Sequence, residues 1–440
     1  MRRQEEGLAE AFIEAVIRLL WGLRVEIVLG GGAVSVGTLT CAHFGPICGA
    51  IAVVGVVAIA IGVAPVRRLL GRVLFRARVR RQWHRGVRTA NITAFEEQLP
   101  ALFSIERLPA GERLDLRVPL GSCVADLEKA AEVIAAALGV REVRIQRDPA
   151  NASRAVVVIV RRDPLGGTSS LVWPGAGAER LDLWQPIPIG IGENGQTVTL
   201  SLPERNMLLG GEPGAGKSVA LSLPVATAAL DPTVKLWLLD GKLVELATWA
   251  GCAEHSVGIS VAEAIDVLRQ LRTEMELRYA ELLASRKRKV GPNDGMGLHV
   301  VVCDELAHYL TGGDRREREE FSSVLRDLVS RGRAAGVIVL AATQKPSADV
   351  VPTSLRDLFG FRWAMRCSTP QASDTILGAG WASAGYSAAE IDAASRGVGY
   401  LLHEGGLPVR LRAFHLDDNT VADIAKRAEA LRRGHARGAR

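Results

Sequence analysis

The sequence predicts an α/β protein in three parts: an N-terminal apolar helical hairpin, a small α+β domain, and a larger domain built on a parallel sheet. Three observations carry this. Ile27 to Val66 is a run of 40 residues without Asp, Glu, Lys or Arg. Between residues 91 and 175 a helical pattern precedes two strand-like runs. From Asn206 onward short apolar strands alternate with amphipathic stretches, the pattern of βαβ units.

Composition sets the limits. The chain has 440 residues, 48% hydrophobic and 23% charged, which excludes a disordered polymer and leaves room for two or three domains. Its formal charge of +6 suggests a generally basic protein, but nine arginines and no acid lie between Arg67 and Arg88. That segment carries +9, so the remaining residues sum to −3. The six cysteines form no C-x-x-C pair, which argues for reduced thiols and against a zinc ribbon or redox motif.

The first part, 1–90, reads as a membrane anchor. A bilayer core takes about 20 helical residues, so the uncharged run suffices for two transmembrane helices, about 27–43 and 47–66, joined at His43-Phe44-Gly45-Pro46. Arginines flank both ends (Arg2, Arg3, Arg18 and Arg24 before, the basic juxtamembrane segment 67–88 after) and none stands in the turn. The positive-inside rule then puts both ends in the cytoplasm, with a multi-pass anchor in the cell membrane and the large remainder inside. Residues 4–22 read as a helix lying at the interface. A cleaved signal peptide and a buried soluble helix fit the run's length poorly, whereas a single span with an interfacial first segment stays open because of Gly30, Gly31, Gly32 and Gly37.

The second part, 91–175, carries no chemistry. Ser122 can cap a helix through Asp126, Leu127, Ala130, Val133, Ile134 and Leu138, stopped by Gly139. Strands follow at Val143 to Gln146 and Ala155 to Val160, and Pro164 to Gly177 reads as a linker.

The third part, 176–415, opens its chemistry at a strand, Asn206 to Gly210, that runs into Gly211-Glu212-Pro213-Gly214-Ala215-Gly216-Lys217-Ser218. This is G-x-x-x-x-G-K-[ST] between a strand and a helix, a phosphate-binding loop. Its glycines let backbone N–H groups curl toward phosphates and the helix dipole adds to the attraction. Lys217 is expected to reach the β- and γ-phosphates and Ser218 to bind Mg²⁺. A buried strand, His299 to Cys303, delivers Asp304 and Glu305: the first to hold Mg²⁺, the second to orient and deprotonate the attacking water. Strands at Lys235 to Leu239 and Val337 to Ala341 suit the same sheet, and the second ends in Thr343 and Gln344, polar residues placed to sense a γ-phosphate. A long helix opened by Ser260 and Glu263 ends at Arg286-Lys287-Arg288-Lys289, which reads as a solvated helix end more readily than as a DNA contact.

Together these motifs resemble the FtsK/SpoIIIE family of membrane-anchored DNA-pumping ATPases. The resemblance rests on Gly211 to Ser218, Leu239-Asp240-Gly241-Lys242 with Val244-Glu245-Leu246, Glu274-Met275-Glu276 with Arg278-Tyr279, Asp304-Glu305, and Arg333-Ala334-Ala335-Gly336 leading to Ala342-Thr343-Gln344-Lys345-Pro346-Ser347. It covers about residues 185–415 and, more faintly, 92–165. It implies a RecA-like P-loop ATPase motor using ATP and Mg²⁺, assembled as a homo-oligomeric, hexameric ring around double-stranded DNA. An arginine from the neighbouring subunit would complete the site, with Arg331 and Arg333 as candidates. Gly241 stands where the family usually has Pro, and Lys345 where it often has Arg. The 25 residues from Leu416 onward read as a basic tail, 416–440, too short for a winged-helix guiding domain.

With one hairpin and one motor, the chain resembles small actinobacterial transfer proteins. The expected function is ATP-driven translocation of duplex DNA in conjugal transfer of plasmids or integrative elements. A chromosome-segregation pump at the septum, a type VII protein-secretion ATPase and a non-hydrolysing scaffold are the alternatives; intact Lys217, Asp304 and Glu305 argue against the last.

Overall fold

The structure, a computed structural model, describes residues 24–91, 98–166, 171–344, 346–347 and 349–438. The expected interfacial helix at 4–22, the flanking arginines Arg2, Arg3 and Arg18, and Lys345 lie outside the described residues. The chain divides into two compact units between Arg162 and Asp163.

The first unit begins with three helices: α1 (Arg24–Phe44), α2 (Pro46–Gly62) and α3 (Ala64–Thr89). Gly45, at φ +91°, makes the reversal between α1 and α2, and Pro46 opens α2 where its missing N–H costs nothing. The two helices approach closely through small residues. A Cβ on Gly49 would stand 2.7 Å from the Cys41 Cβ and from the Gly37 carbonyl oxygen. The second expected span, 47–66, is cut short at Gly62, because Pro65 has no N–H for the Ile61 carbonyl; Arg67 Nη1 donates to that oxygen instead, at 3.0 Å. Among the described residues no single helix is long and apolar enough to cross a membrane. The pair α2 and α3 passes by length and composition together, but is bent by 86°.

The remaining elements of this unit are β1 (Ala101–Leu108), β2 (Gly111–Arg117), α4 (Val124–Lys129), α5 (Ala131–Leu138), β3 (Glu142–Asp148) and β4 (Asn151–Val160), with the strands antiparallel in the order β1-β2-β4-β3. The expected single helix is two short ones. Cys123, not Ser122, is its N-cap: the Cys123 N–H donates to Asp126 Oδ2 at 3.0 Å, while Ser122 Oγ donates to the Pro119 carbonyl. The arginine segment 67–88 also has a second role. Val79, Trp83 and Val87 of α3 are buried in one core with Leu114, Ile134 and Ile159.

The second unit holds β5 (Ile187–Gly192), β6 (Thr197–Leu200), β7 (Met207–Gly210), α6 (Lys217–Ala229), β8 (Lys235–Leu239), β9 (His255–Val257), α7 (Val261–Ala284), β10 (His299–Cys303), α8 (Leu306–Thr311), α9 (Arg315–Arg331), β11 (Val337–Thr343), α10 (Thr353–Arg356), β12 (Phe361–Met365), α11 (Pro370–Leu377), β13 (Val398–His403), β14 (Val409–Ala413) and α12 (Asp418–Gly438). Its ten strands form one sheet in the order β6-β5-β14-β13-β12-β7-β11-β10-β8-β9. From β12 to β9 neighbours run parallel, and the strands from β13 to β6 continue antiparallel. β7, β10 and β11 are buried along their whole length, as sequences such as HVVVC and VIVLAAT require of central parallel strands.

Two expected boundaries move. Residues 163–175, assigned from sequence to the small domain and a linker, belong to the second unit, because Leu165 and Trp173 insert into its core and Trp173 Nε1 donates to the Pro188 carbonyl at 2.8 Å. The expected basic tail, 416–440, is α12, a docked helix. Ile424, Ala425 and Ala428 face the core at helical spacing, and Arg432 donates to the carbonyls of Ala228, Ala229, Asp231 and Val234 around the C-terminal end of α6.

Candidate active site

The glycine-rich loop leaves the C-terminal end of β7, which lies between β11 and β12 with Gly210 opposite Thr343. Gly214 and Gly216 have φ of +77° and +100°, and a Cβ on Gly216 would stand 2.8 Å from the Gly397 nitrogen. Only glycine fits there. The loop closes with the Ala215 N–H donating to the Glu212 carbonyl at 3.2 Å, and the Glu212 carboxylate pairs with Arg366 at 3.1 Å; Pro213 faces solvent. Gly211 opens the loop, its N–H donating to the Thr343 carbonyl at 3.3 Å. Helix α6 starts at Lys217, so the free N–H groups of its first turn and Ser218 face the hollow of the loop.

Lys217 is 3% exposed and its Nζ has no aligned hydrogen bond. Burial draws its pKa down to about 8, against the attraction of Asp304. Beside it, β10 ends at Asp304 and Glu305. Asp304 is wholly buried with neither carboxylate oxygen hydrogen-bonded, and burial holds its pKa above the usual carboxylate range in spite of Lys217 and Lys242. Glu305 is held from several sides. Its Oε1 accepts from Thr343 Oγ1 and from the Gln344 N–H, both at 3.1 Å, and its Oε2 lies 3.9 Å from Lys217 Nζ and 3.6 Å from Lys242 Nζ. Thr343 and Gln344, expected to sense a phosphate, hold the Glu305 carboxylate in this structure.

Gly214, Gly216, Lys217, Ser218 and Gln344 border a cavity of about 410 Å³. An anion fits this lining: a buried ammonium without a hydrogen bond, backbone N–H groups at a helix start, and a loop that a side chain would block. A divalent cation fits beside it, at a buried carboxylate with two unsatisfied oxygens.

Comparison with known proteins identifies a domain of the second unit. Residues 178–379 match the model of the FtsK/SpoIIIE family. The chain carries an FtsK/SpoIIIE-family P-loop ATPase domain. The DNA translocase FtsK of Staphylococcus epidermidis is 26% identical over 342 residues, 72% of this chain and 41% of that protein. FtsK of Streptococcus pyogenes is 25% identical over 293 residues, 61% of this chain and 36% of its own. The chain therefore spans well under half the length of these relatives. Among solved structures, the pCW3 conjugation coupling protein TcpA in its monomer form with ATPγS superposes with a TM-score of 0.51 at 17% identity, covering 78% of this chain and 98% of that one.

The FtsK/SpoIIIE domain brings together Gly211 to Ser218, Asp304, Glu305, Thr343 and Gln344, but not Arg331 and Arg333. These two precede β11, at the opposite end of that strand from Thr343, about 20 Å away by strand length. Arg331 pairs with Asp327 at 3.1 Å, and Arg333 donates to the Glu204 carbonyl at 2.6 Å and pairs with Glu404 at 3.0 Å. Helix α7 ends at Ala284, short of the expected basic end 286–289, and Lys287 and Lys289 of that run pair with Asp294 and Glu204. Sequence reading missed the opposite wall of the cavity, formed by Arg396, Gly397, Arg412, Phe414 and His415. No local pattern announces them, since they lie just before β13 and at the end of β14, roughly 180 to 200 positions from the loop. Lys242 was read as part of a family motif without a role; the structure puts its Nζ 3.1 Å from Asp304 Oδ2.

Proposed function

We propose that the chain is a membrane-anchored, ATP-driven translocase of double-stranded DNA that works in conjugal transfer of a plasmid or integrative element. The observation that carries this is similarity to DNA translocases over 72% of the chain, joined to a P-loop site in which Lys217, Glu305 and Thr343 stand together beside Asp304. The nearly full overlap with a conjugation coupling protein favours conjugal transfer over a septal role. In the cycle, Lys217 and the first-turn N–H groups of α6 bind the phosphates, and Thr343 with the Gln344 N–H aims Glu305 at the attacking water, whose proton it accepts. Ser218 and Asp304 would hold Mg²⁺, which supplies charge neutralisation at the phosphates. Among the described residues no three His, Cys, Asp or Glu side chains gather as a metal cluster, so phosphate oxygens would complete that ion's ligands.

Anchoring is supported by the hairpin's surface. Leu39, Phe44, Ile47, Ile51, Val54 and Ile61 all point outward, more than half exposed, on the two helices that pack through Gly37 and Gly49. The exposed arginines at the start of α3 would face the anionic leaflet, each contributing about 1 kcal/mol of attraction. A homohexameric ring, with Arg331 or Arg333 reaching a neighbour's nucleotide, completes the reading.

The test is ATP turnover by the full chain in detergent micelles, with and without duplex DNA, across a salt series. Duplex stimulation that fades as salt rises is the expected result. Turnover indifferent to any DNA would sink translocation and favour protein secretion.

A further inference from the structure

The site contains a second lysine, half-buried, that phosphate binding does not require. Lys242 lies on the loop after β8, and β8 pairs with β10 so that Leu239 stands opposite Cys303. Register therefore delivers Lys242 to the carboxylates at the end of β10: its Nζ is 3.1 Å from Asp304 Oδ2 and 3.6 Å from Glu305 Oε2. The loop is fixed so as to aim it. Asp240, almost wholly buried, accepts the Lys242 N–H on one oxygen at 3.1 Å and the Leu246 N–H on the other at 2.9 Å. Gly241 sits so close that a Cβ there would come within 3.3 Å of both Glu305 and His308. Yet Lys242 Nζ and both Asp304 oxygens are buried without an aligned hydrogen bond, so the contact is a charge pairing that a better ligand can replace.

We propose that Lys242 is a resident counter-cation: in the nucleotide-free site it neutralises Asp304 and holds Glu305, and it must yield Asp304 when a divalent cation binds there. Lys242 is thus a positioning residue that sets how much cation is needed to arm the site. Leu243, at φ +67°, and Val244 lie exposed just beyond it on the same loop. The inference rests on the nucleotide site alone and is independent of what the motor moves.

The experiment titrates Mn²⁺, without nucleotide or DNA, into the full chain and into Lys242→Met and Lys242→Arg, following free Mn²⁺ by electron paramagnetic resonance. Lys242→Met should bind Mn²⁺ on the order of tenfold more tightly than wild type, and Lys242→Arg close to wild type. Unchanged or weaker binding by Lys242→Met, with its unfolding midpoint preserved, overturns the proposal. If that variant does not fold, the wild-type chain decides: amine labelling read by mass spectrometry should rise at Lys242 as Mg²⁺ alone is added, and labelling that stays flat overturns the proposal. Both readouts stand whether or not DNA stimulates turnover.

Discussion

His299, at the start of β10, is 1% exposed and accepts a hydrogen bond from Trp237 Nε1 on its Nδ1 at 2.9 Å. Burial first, then Arg278 and Lys235, press its pKa down to about 2, so the ring is neutral although Glu274 lies 3.4 Å from its Nε2. The unfolded chain takes up a proton near pH 6.5 that the folded chain refuses, so this group removes stability as pH falls below 6.5 and none above it. His299→Gln, which keeps an acceptor for Trp237, should flatten the loss between pH 6.5 and 5 by up to about 2 kcal/mol. Urea midpoints across that range check it, and parallel curves for the two proteins would contradict it. In the site, Lys217→Ala should abolish turnover, and Glu305→Gln should bind ATP normally while hydrolysing it about a hundredfold or more slowly. Equal loss of binding in Glu305→Gln would assign that residue a different role. Lys217, Asp304 and Glu305 were readable in sequence because each closes a local pattern, a glycine-rich loop or a buried strand. Lys242 was not, because its role depends on strand register between β8 and β10.

At the scale of elements, α12 reads in sequence as a basic tail and folds as a strut. Its arginines are numerous enough to mask the apolar spacing of Ile424, Ala425 and Ala428, and only the tertiary partners reveal what Arg432 does. With donors on the Ala228, Ala229, Asp231 and Val234 carbonyls, Arg432 ties down the end of α6, the helix that begins at Lys217. Arg432→Ala should cost the second unit about 3 kcal/mol, read as a lowered unfolding midpoint, and an unchanged midpoint would contradict the strut. The hairpin makes an equally specific prediction. Gly49→Leu should splay α1 from α2, lengthening the distance between spin labels at positions 34 and 57, whereas an unaltered distance would deny the close approach at Gly37 and Gly49. Strands β7, β8, β10 and β11 were legible as apolar runs. β12 and β14 were not, since Arg362, Arg410 and Arg412 interrupt them, nor were β1 and β2, which Glu106, Arg107, Glu112, Arg113 and Arg117 interrupt.

For the whole molecule, charge is distributed by task. The +9 of residues 67–88 belongs to α3, while everything else sums to −3, so a basic pI is no evidence for DNA binding. Within the ATPase unit, Lys217 and Lys242 stand against Asp304 and Glu305, and the cavity beside them takes its far wall from residues just before β13 and at the end of β14. The most direct test of DNA translocation is displacement of a third strand from a duplex by the full chain in micelles, followed with ATP and with Lys217→Ala as control. The expected result is ATP-dependent release of the third strand by wild type and none by the variant; release of no strand by a chain that still hydrolyses ATP would contradict it.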